Sequence, residues 1–111
     1  MLSLVFYVPD SHLEQVKTAV FAAGAGRIGN YDQCCWQTKG TGQFRPLEGS
    51  NPAIGSTGTL EKVDEWKVEL VLEESCAPAV VSALKAAHPY ETPAYHLYSH
   101  AGFTDLRSLE E

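Results

Sequence analysis

The order in which two hydrophobic periodicities follow one another is the strongest constraint on the fold of this chain. Four segments have the composition of strands, and the clearest of them carry apolar residues at every second position, as half-buried strands do. Two segments carry them at every third or fourth position, as helices packed on a sheet do. The segments run strand, helix, strand, strand, helix, strand within 111 residues. A chain of this length has room for one hydrophobic core, so all six elements are expected to share it.

The first strand and the first helix are predicted within residues 2–23. Residues 2–8 are rich in β-branched and aromatic side chains, and one face of the strand is formed by Leu2, Leu4, Phe6 and Val8. Pro9 ends this strand, and the run from Ser11 to Glu14 matches a capping box, in which both side chains satisfy free amides at a helix start. The helix that follows has one apolar stripe, formed by Leu13, Val16, Val20 and Ala23.

Two further strands and a long loop are predicted in the middle of the chain. Residues 31–39 have strand character, although their pattern does not indicate which face is buried. Residues 59–73 predict a longer third strand, whose apolar face consists of Trp66, Val68, Leu70 and Leu72. The intervening residues 40–58 contain too much glycine and proline for a regular element. A loop of that length is uncommon in a compact domain and is usually functional.

The second helix and the fourth strand complete the predicted fold. Pro78 suits the first turn of a helix, whose buried stripe consists of Val80, Val81, Leu84 and Ala87. Two prolines hold residues 88–93 extended, and residues 94–98 form a short last strand. The order predicts an α+β, ferredoxin-like β-α-β-β-α-β sandwich, with an antiparallel sheet and both helices on one face. We assign this single domain to residues 1–104 and a polar tail to residues 105–111.

Charge and cysteine content limit the partners that this chain is expected to have. Fourteen acidic against eight basic residues give a formal charge of -6, and the basic residues do not cluster, so we expect no nucleic-acid binding. The apolar start of the chain is too short to span a bilayer, so we expect no membrane association. Three cysteines, two of them adjacent, favour reduced thiols and a cytoplasmic location.

Two candidate motifs have a structural explanation beside a functional one. Residues 24–29 fit the pattern G-x-G-x-x-G, but they follow a helix and precede a strand, which is the reverse of the order that a phosphate-binding loop needs. We therefore interpret them as a helix C-cap and turn. No Cys-x-x-Cys or His-Glu-x-x-His is present, so a local metal motif is absent. Cys34 remains either a metal ligand or a small buried hydrophobe.

The densest cluster of functional side chains is the segment His88-Pro89-Tyr90-Glu91. Its prolines favour a rigid segment that presents an imidazole, a phenol and a carboxylate together. A structural turn, with Tyr90 packed and Glu91 bonded to backbone amides, explains the segment equally well. Glu65, on the predicted third strand, is placed to join the cluster across the sheet. No nucleophile has an obvious base, so the sequence leaves an enzymatic role open and favours a non-catalytic one.

Three stretches carry specific motifs that together span most of the chain. They read Gly24-Ala25-Gly26-x-Ile28-Gly29-x-Tyr31-x-x-Cys34, then Gly40-x-Gly42-x-Phe44-x-Pro46-x-x-Gly49-x-x-Pro52-x-x-Gly55, and finally His88-Pro89-Tyr90-Glu91-x-Pro93-Ala94-Tyr95. They resemble the domain inserted in NGG-interacting-factor (YqfO-type) proteins. The resemblance implies a stand-alone relative of that insert, with a PII/CutA-like fold and a trimeric assembly. Larger members of the family hold a two-metal centre in flanking halves, and the resemblance does not transfer that centre to this chain.

These observations lead to three hypotheses about function. The first is an oligomeric, regulatory module that binds a small ligand or a divalent metal ion, which is the one cofactor that we consider. Its expected ligand-binding residues are Tyr31, Phe44, Glu65, His88, Tyr90 and Glu91, and its expected metal ligands are Cys34, His88 and Glu91. The second hypothesis is an accessory or regulatory partner of a dinuclear metal hydrolase. The third is a purely structural oligomerisation module.

Overall fold

A computed structural model describes residues 1–100, which form a four-stranded antiparallel sheet with two helices on one face. The elements are β1 (Leu2–Pro9), α1 (Leu13–Ala22), β2 (Trp36–Phe44), β3 (Glu61–Leu72), α2 (Ala77–Ala87) and β4 (Tyr95–Ser99). The strand order is β2-β3-β1-β4, with every neighbouring pair antiparallel. The predicted α+β, ferredoxin-like fold class is therefore confirmed. In the described part of the chain, no helix is long and apolar enough to cross a membrane.

The core lies between the helices and the face of the sheet that the period-two pattern predicts. In the β1–β3 register, Phe6 lies opposite Val68 and Leu4 opposite Leu70, so their side chains share one face. Both helices contribute their predicted stripes to the same cluster except for Val81, and Val16, Val20, Val80 and Leu84 are fully buried. Each such side chain stabilises the fold by about 1.5–3 kcal/mol through its removal from water. We call this helix-covered part of the molecule the base.

The two strands β2 and β3 extend past the base. β1 pairs with β3 only from residue 65 to residue 72, whereas β2 pairs with β3 from residue 61 to residue 69. The outer ends of β2 and β3 therefore form a two-stranded ribbon without β1 beside it. We call this ribbon, together with the loop of residues 45–60 that closes it, the tip.

The second strand and the long loop differ from the prediction. β2 covers Trp36–Phe44 instead of residues 31–39, so the first five residues of the predicted loop are strand. Residues 31–35 form an irregular return, in which the Cys34 amide donates to the Gly26 carbonyl at 2.8 Å. Glycine is unfavourable inside a strand unless another group approaches closely, and the side chain of Glu65 lies directly over Gly42. The pairing with β3 thus overrides the local preference for a loop.

The start of α1 also differs from the prediction, whereas its end agrees with it. The chain enters α1 through a 3-10 turn, and the Ser11 hydroxyl pairs with the His12 ring at 2.8 Å, so no capping box forms. Asp10 anchors the turn by accepting the Trp66 indole N–H at 2.7 Å. At the other end, Gly24 has a φ of 112°, and its amide donates to the Phe21 carbonyl at 3.0 Å. This geometry confirms the predicted C-cap and turn.

Two remaining parts of the predicted domain organisation lie outside the described residues. These are the last four residues of the domain that we assigned to residues 1–104 and the polar tail of residues 105–111.

Candidate functional site

The segment between α2 and β4 is tied to three different elements. Residues 88–94 run alongside the tip, and the Ala94 carbonyl accepts the backbone amide of Tyr7 at 3.1 Å, which fixes the end of the segment to β1. Three polar side chains of the segment, His88, Tyr90 and Glu91, reach β1, β3 and the loop respectively. The segment therefore links the base to the tip.

His88 is held by both of its ring nitrogens. It is buried, with 6% of its surface exposed, and its Nε2–H donates to the Tyr7 carbonyl at 2.7 Å. Its Nδ1 accepts the amide N–H of Tyr90 at 3.1 Å, so the ring is a neutral tautomer. Burial lowers the pKa of His88, against the opposing effects of the Tyr7 carbonyl and of the negative charge of Glu65. The imidazole thus positions Tyr90 and has no ring nitrogen left for a ligand or a metal ion.

The side chain of Tyr90 contacts both β2 and β3. Its hydroxyl donates to Glu65 Oε2 at 3.0 Å, and its ring centroid is 5.7 Å from that of Phe44. Burial, donation to Glu65 and the charge of that carboxylate all raise the pKa of the Tyr90 hydroxyl. Tyr90 is therefore a neutral hydrogen-bond donor across the physiological pH range.

Glu91 connects the segment to the long loop. Its Oε2 accepts the backbone N–H of Asn51 at 2.8 Å, a contact between residues 40 positions apart. The two ends of the loop are joined by the Gly58 amide, which donates to the Pro46 carbonyl at 2.8 Å. The loop is consequently held by hydrogen bonds both at its ends and at its middle.

A cavity of about 260 Å³ lies where the loop, the ribbon and the segment meet. We call it the tip pocket. Its apolar wall includes Phe44, Pro46, Pro52, Ala53 and Ile54. Its polar and charged groups include Arg45, Ser50, Glu65, Tyr90 and Glu91. A largely apolar concavity with a few convergent polar groups is the usual form of a small-molecule site.

The structure brings together four of the six predicted ligand-binding residues. Phe44, Glu65, Tyr90 and Glu91 line the tip pocket. His88 lies behind them, with its ring centroid 5.0 Å from that of Tyr90. Tyr31 does not join the group: it is 75% exposed and is bridged to Ile28 near the opposite end of the sheet.

Three contributors to the tip pocket were not predicted from the sequence. Arg45 lines the cavity, Asn51 holds Glu91, and Gly42 leaves room for the Glu65 carboxylate. Gly42 stands in the motif shared with the YqfO-type insert. A glycine at that position was the only sign in the motif that another group, here the Glu65 carboxylate, approaches the backbone closely. No pattern in the sequence distinguishes Asn51 or Arg45 from other loop residues.

The predicted metal ligands are not brought together. Within residues 1–100, no group of three or more His, Cys, Asp or Glu side chains is arranged to hold a metal ion. Cys34 lines a different cavity, beside Trp36 and Tyr98, and its thiol donates to the Asp32 carbonyl at 3.6 Å. Cys34 does not pack against the hydrophobic core, whereas the neighbouring Cys35 does. The set of Cys34, His88 and Glu91 therefore does not fit a divalent cation.

The face of the sheet away from the helices is the second notable surface. We call it the open face. Its side chains include Trp36, which is 71% exposed, and Tyr98, which is 49% exposed. These aromatic groups flank a cavity of about 340 Å³. Exposed aromatic side chains around a concavity are typical of protein contact surfaces.

Solved structures of known proteins share this fold. Over 99% of this chain and 92% of the other, it superposes on CutA1 from Pyrococcus horikoshii with a TM-score of 0.67 at 16% sequence identity. It superposes on a Bacillus cereus protein related to NIF3 with a TM-score of 0.78 at 40% identity, covering 91% of this chain and 26% of that one. The class of the protein is therefore an α+β domain with the CutA/PII-like fold.

Sequence comparison then identifies a particular group of relatives. The chain is 50% identical over 98 residues, or 88% of its length, to a GTP cyclohydrolase 1 type 2 homolog of Halalkalibacterium halodurans. It is 50% identical over 95 residues to the protein of the same name from Mycobacterium tuberculosis. It spans about a quarter of the length of these proteins, 26% and 25% respectively. No family model matches the chain. The chain is thus a relative of one segment of the GTP cyclohydrolase 1 type 2 homologs, which confirms the resemblance found in the motifs.

Proposed function

We propose that this chain is a non-catalytic binding module whose ligand site is the tip pocket. The observation that supports the proposal is the convergence of the long loop and the segment of residues 88–91 on one cavity. Four residues selected from the sequence for ligand binding line that cavity. A ligand there would contact the loop, the ribbon and the segment at once.

The protonation states around the pocket favour binding over acid–base chemistry. A general base needs an available lone pair and a pKa near the working pH. The Nδ1 lone pair of His88 already accepts the Tyr90 amide, and burial lowers the pKa of this imidazole. The hydroxyl of Tyr90 has a raised pKa and donates to Glu65. Both groups are therefore suited to shaping a site and are poorly suited to proton transfer.

The connections of the pocket suggest how ligand binding would be regulatory. Glu91 is hydrogen-bonded to the middle of the loop and His88 to β1, and only two residues lie between Glu91 and His88 in the chain. A ligand that moves the loop would pull on this segment, and the segment is bonded to a strand of the base. Binding at the tip would thereby be transmitted to the sheet.

We propose further that the chain associates with itself through the open face, with a trimer as the expected assembly. Burial of Trp36 and Tyr98 between copies would remove two large exposed aromatic groups from water. The solution mass at several protein concentrations tests the assembly, and a monomer at all concentrations would contradict it.

We also propose a cytoplasmic location. All three cysteines are free thiols, which is the state expected there.

A second candidate function follows from the sequence comparison. The relatives are about four times as long as this chain, and the similarity is confined to one segment of them. We propose as the alternative that the chain acts with a GTP cyclohydrolase 1 type 2-like protein, as an accessory or regulatory unit. Co-purification of the tagged chain with such a protein from the same source supports this candidate, and its failure under mild salt argues against it.

Thermal unfolding against a panel of compounds tests the main proposal. The panel contains divalent cations, nucleotides including GTP, and short amines. A ligand at a hundred times its dissociation constant stabilises the folded state by about 2.7 kcal/mol, which corresponds to a shift of several degrees. Tyr90→Phe should reduce the shift because it removes the donor that orients Glu65, whereas Tyr31→Phe should leave it unchanged. If no compound shifts the transition, the tip pocket is not a small-molecule site.

A further inference from the structure

The charged groups of the tip pocket leave it net negative. Glu65 and Glu91 contribute two carboxylates, and Arg45 contributes one positive charge. Among residues 1–100, the ion pairs are Lys17 with Glu14 and Lys67 with Glu69. Neither pocket carboxylate therefore has a Lys or Arg partner within that part of the chain. The chain as a whole carries a formal charge of -6, which adds to the attraction for cations.

Glu65 is the better oriented of the two carboxylates. It is half-buried, its Oε2 accepts the Tyr90 hydroxyl at 3.0 Å, and its carboxylate lies over Gly42. A carboxylate has about four lone-pair sites, so one donor leaves acceptor capacity for a ligand. A partly desolvated charge without a cationic partner is unfavourable, and a cationic ligand would relieve that cost.

Two aromatic rings stand beside this carboxylate. The rings of Phe44 and Tyr90 are tilted by 60° with centroids 5.7 Å apart, and both line the pocket. The face of an aromatic ring attracts a cation that lies within about 6 Å of the centroid. A carboxylate beside aromatic rings therefore suits an organic ammonium group.

The remaining walls discriminate between an organic cation and a metal ion. Divalent cations of the Mg²⁺ and Ca²⁺ type need about six or more oxygen ligands, and no suitable group of three acidic, His or Cys side chains occurs within residues 1–100. Pro46, Pro52 and Ile54 instead offer hydrocarbon surface, against which a short methylene chain can pack. A cavity of about 260 Å³ is slightly below the usual range of ligand pockets, so the expected ligand is small.

We infer that the tip pocket binds an alkylammonium group, held by Glu65 and by the rings of Phe44 and Tyr90, with its methylene chain against the proline-rich loop. This inference rests on the proposed function of the pocket as a ligand site. The group is supplied either by a small free amine or by the lysine side chain of a peptide, since both present the same chemistry.

Titration calorimetry on the full chain tests the inference with matched probes. The probes are 1,5-diaminopentane, the uncharged isostere 1,5-pentanediol, and a capped pentapeptide with one central lysine among glycines. We expect the diamine to bind and the diol not to bind. Glu65→Gln keeps one oxygen acceptor for Tyr90 and nearly the same size while it removes the negative charge, so it should weaken diamine binding by about tenfold or more. Asp32→Asn makes the same change of net charge at an exposed site near the opposite end of the sheet, and it should leave the affinity unchanged.

The outcomes separate this inference from the proposed function. Tighter binding of the peptide than of the diamine supports the inference and identifies lysine as the source. Equal weakening by Glu65→Gln and Asp32→Asn overturns it, because the attraction would then be non-specific. If the diamine and the peptide fail while a nucleotide stabilises the chain and Tyr90→Phe reduces that effect, the inference is wrong and the ligand site stands. If no compound binds, both are wrong.

Discussion

The base and the tip share the strands β2 and β3, yet different forces hold them together. In the base, side chains such as Phe6, Val68 and Leu84 are fully buried and make apolar contacts. At the tip, the contacts among the loop, the segment and strands β2 and β3 include two hydrogen bonds, from Tyr90 to Glu65 and from Asn51 to Glu91, and the ring pair of Phe44 and Tyr90. Burial of a large apolar side chain contributes more to stability than one exposed hydrogen bond does.

This difference separates the region that stabilises the fold from the region that we propose as the ligand site. We expect the base to hold the fold without help from the loop, because the hydrophobic core cluster contains no residue of the loop. We expect the tip to adjust more readily to the ligand proposed above, because its hydrogen bonds are few and lie near solvent. His88 is the exception, since it is a buried polar residue at the boundary between the two regions. Changes in the base, at the boundary and at the tip should therefore have effects of decreasing size on stability.

The largest effect is expected from a truncation in the base. Leu84→Ala removes a fully buried side chain and leaves a cavity, so it should lower the free energy of unfolding by about 2–5 kcal/mol. Leu47→Ala makes the same chemical change in the loop, where the side chain is 63% exposed, and should change stability by no more than about 0.5 kcal/mol. Urea unfolding measures both variants. Similar losses in the two would show that the loop is part of the folded core and would remove the distinction.

An intermediate and pH-dependent effect is expected at His88. Its pKa is lowered in the folded chain from the ordinary value of 6.5, so the unfolded chain binds more protons as the pH falls below that value. The contribution of the neutral imidazole is therefore fully present above about pH 6.5 and is lost as the pH falls through the lower folded pKa. His88→Gln should flatten this dependence of stability on pH. It should also lower the free energy of unfolding at neutral pH by about 1–3 kcal/mol, because the Tyr7 carbonyl and the Tyr90 amide would be less well hydrogen-bonded.

The matched control for His88 is His96, which is exposed and stacked on Tyr98. His96→Gln should keep the slope of stability against pH that the parent chain shows between pH 5 and pH 7. Unfolding by urea at several pH values gives both slopes. A slope that persists in His88→Gln would assign the titration to another group, and the boundary between base and tip would not be sensitive to protonation.

The smallest effect on stability is expected from a pair of glycines on β2. A Cβ at Gly42 would collide with the carboxylate of Glu65, whereas a Cβ at Gly40 meets no atom within 4 Å. Gly40→Ala should stabilise the chain by about 0.4–1 kcal/mol, because it restricts the unfolded state. Gly42→Ala should lack this stabilisation, because the new Cβ would displace the Glu65 carboxylate from Tyr90. The free energy of unfolding should change by less than about 1 kcal/mol, because the flexible side chain of Glu65 can move aside.

Thermal unfolding compares the two glycine variants, and the NMR signals of the Tyr90 ring report the displacement of Glu65. We expect the Tyr90 signals to change in Gly42→Ala and to stay unchanged in Gly40→Ala. Identical stabilities and unchanged ring signals in both would show that Glu65 does not occupy the space above Gly42.

The periodic pattern of the sequence was sufficient for the base. Strand and helix positions there depend on burial of one face, and that face is visible in the spacing of residues such as Leu4, Phe6 and Val80. The same reasoning failed for β2, because no residue of this edge strand is buried and its pairing partner supplies the register. It also failed at the start of α1, where contact between Asp10 and Trp66, 56 residues apart, selects a 3-10 turn over a capping box.

The sequence by itself determined the order of the elements and the buried face, and it singled out the segment from His88 to Glu91. These properties follow from local spacing and from restrictions that proline places on its neighbours. Only the tertiary structure decided which side chains meet in the tip pocket. The register of β2 on β3 places Glu65 over Gly42, and the path of the loop brings Asn51 to Glu91. Such contacts join residues that are distant in the chain, so no local pattern encodes them.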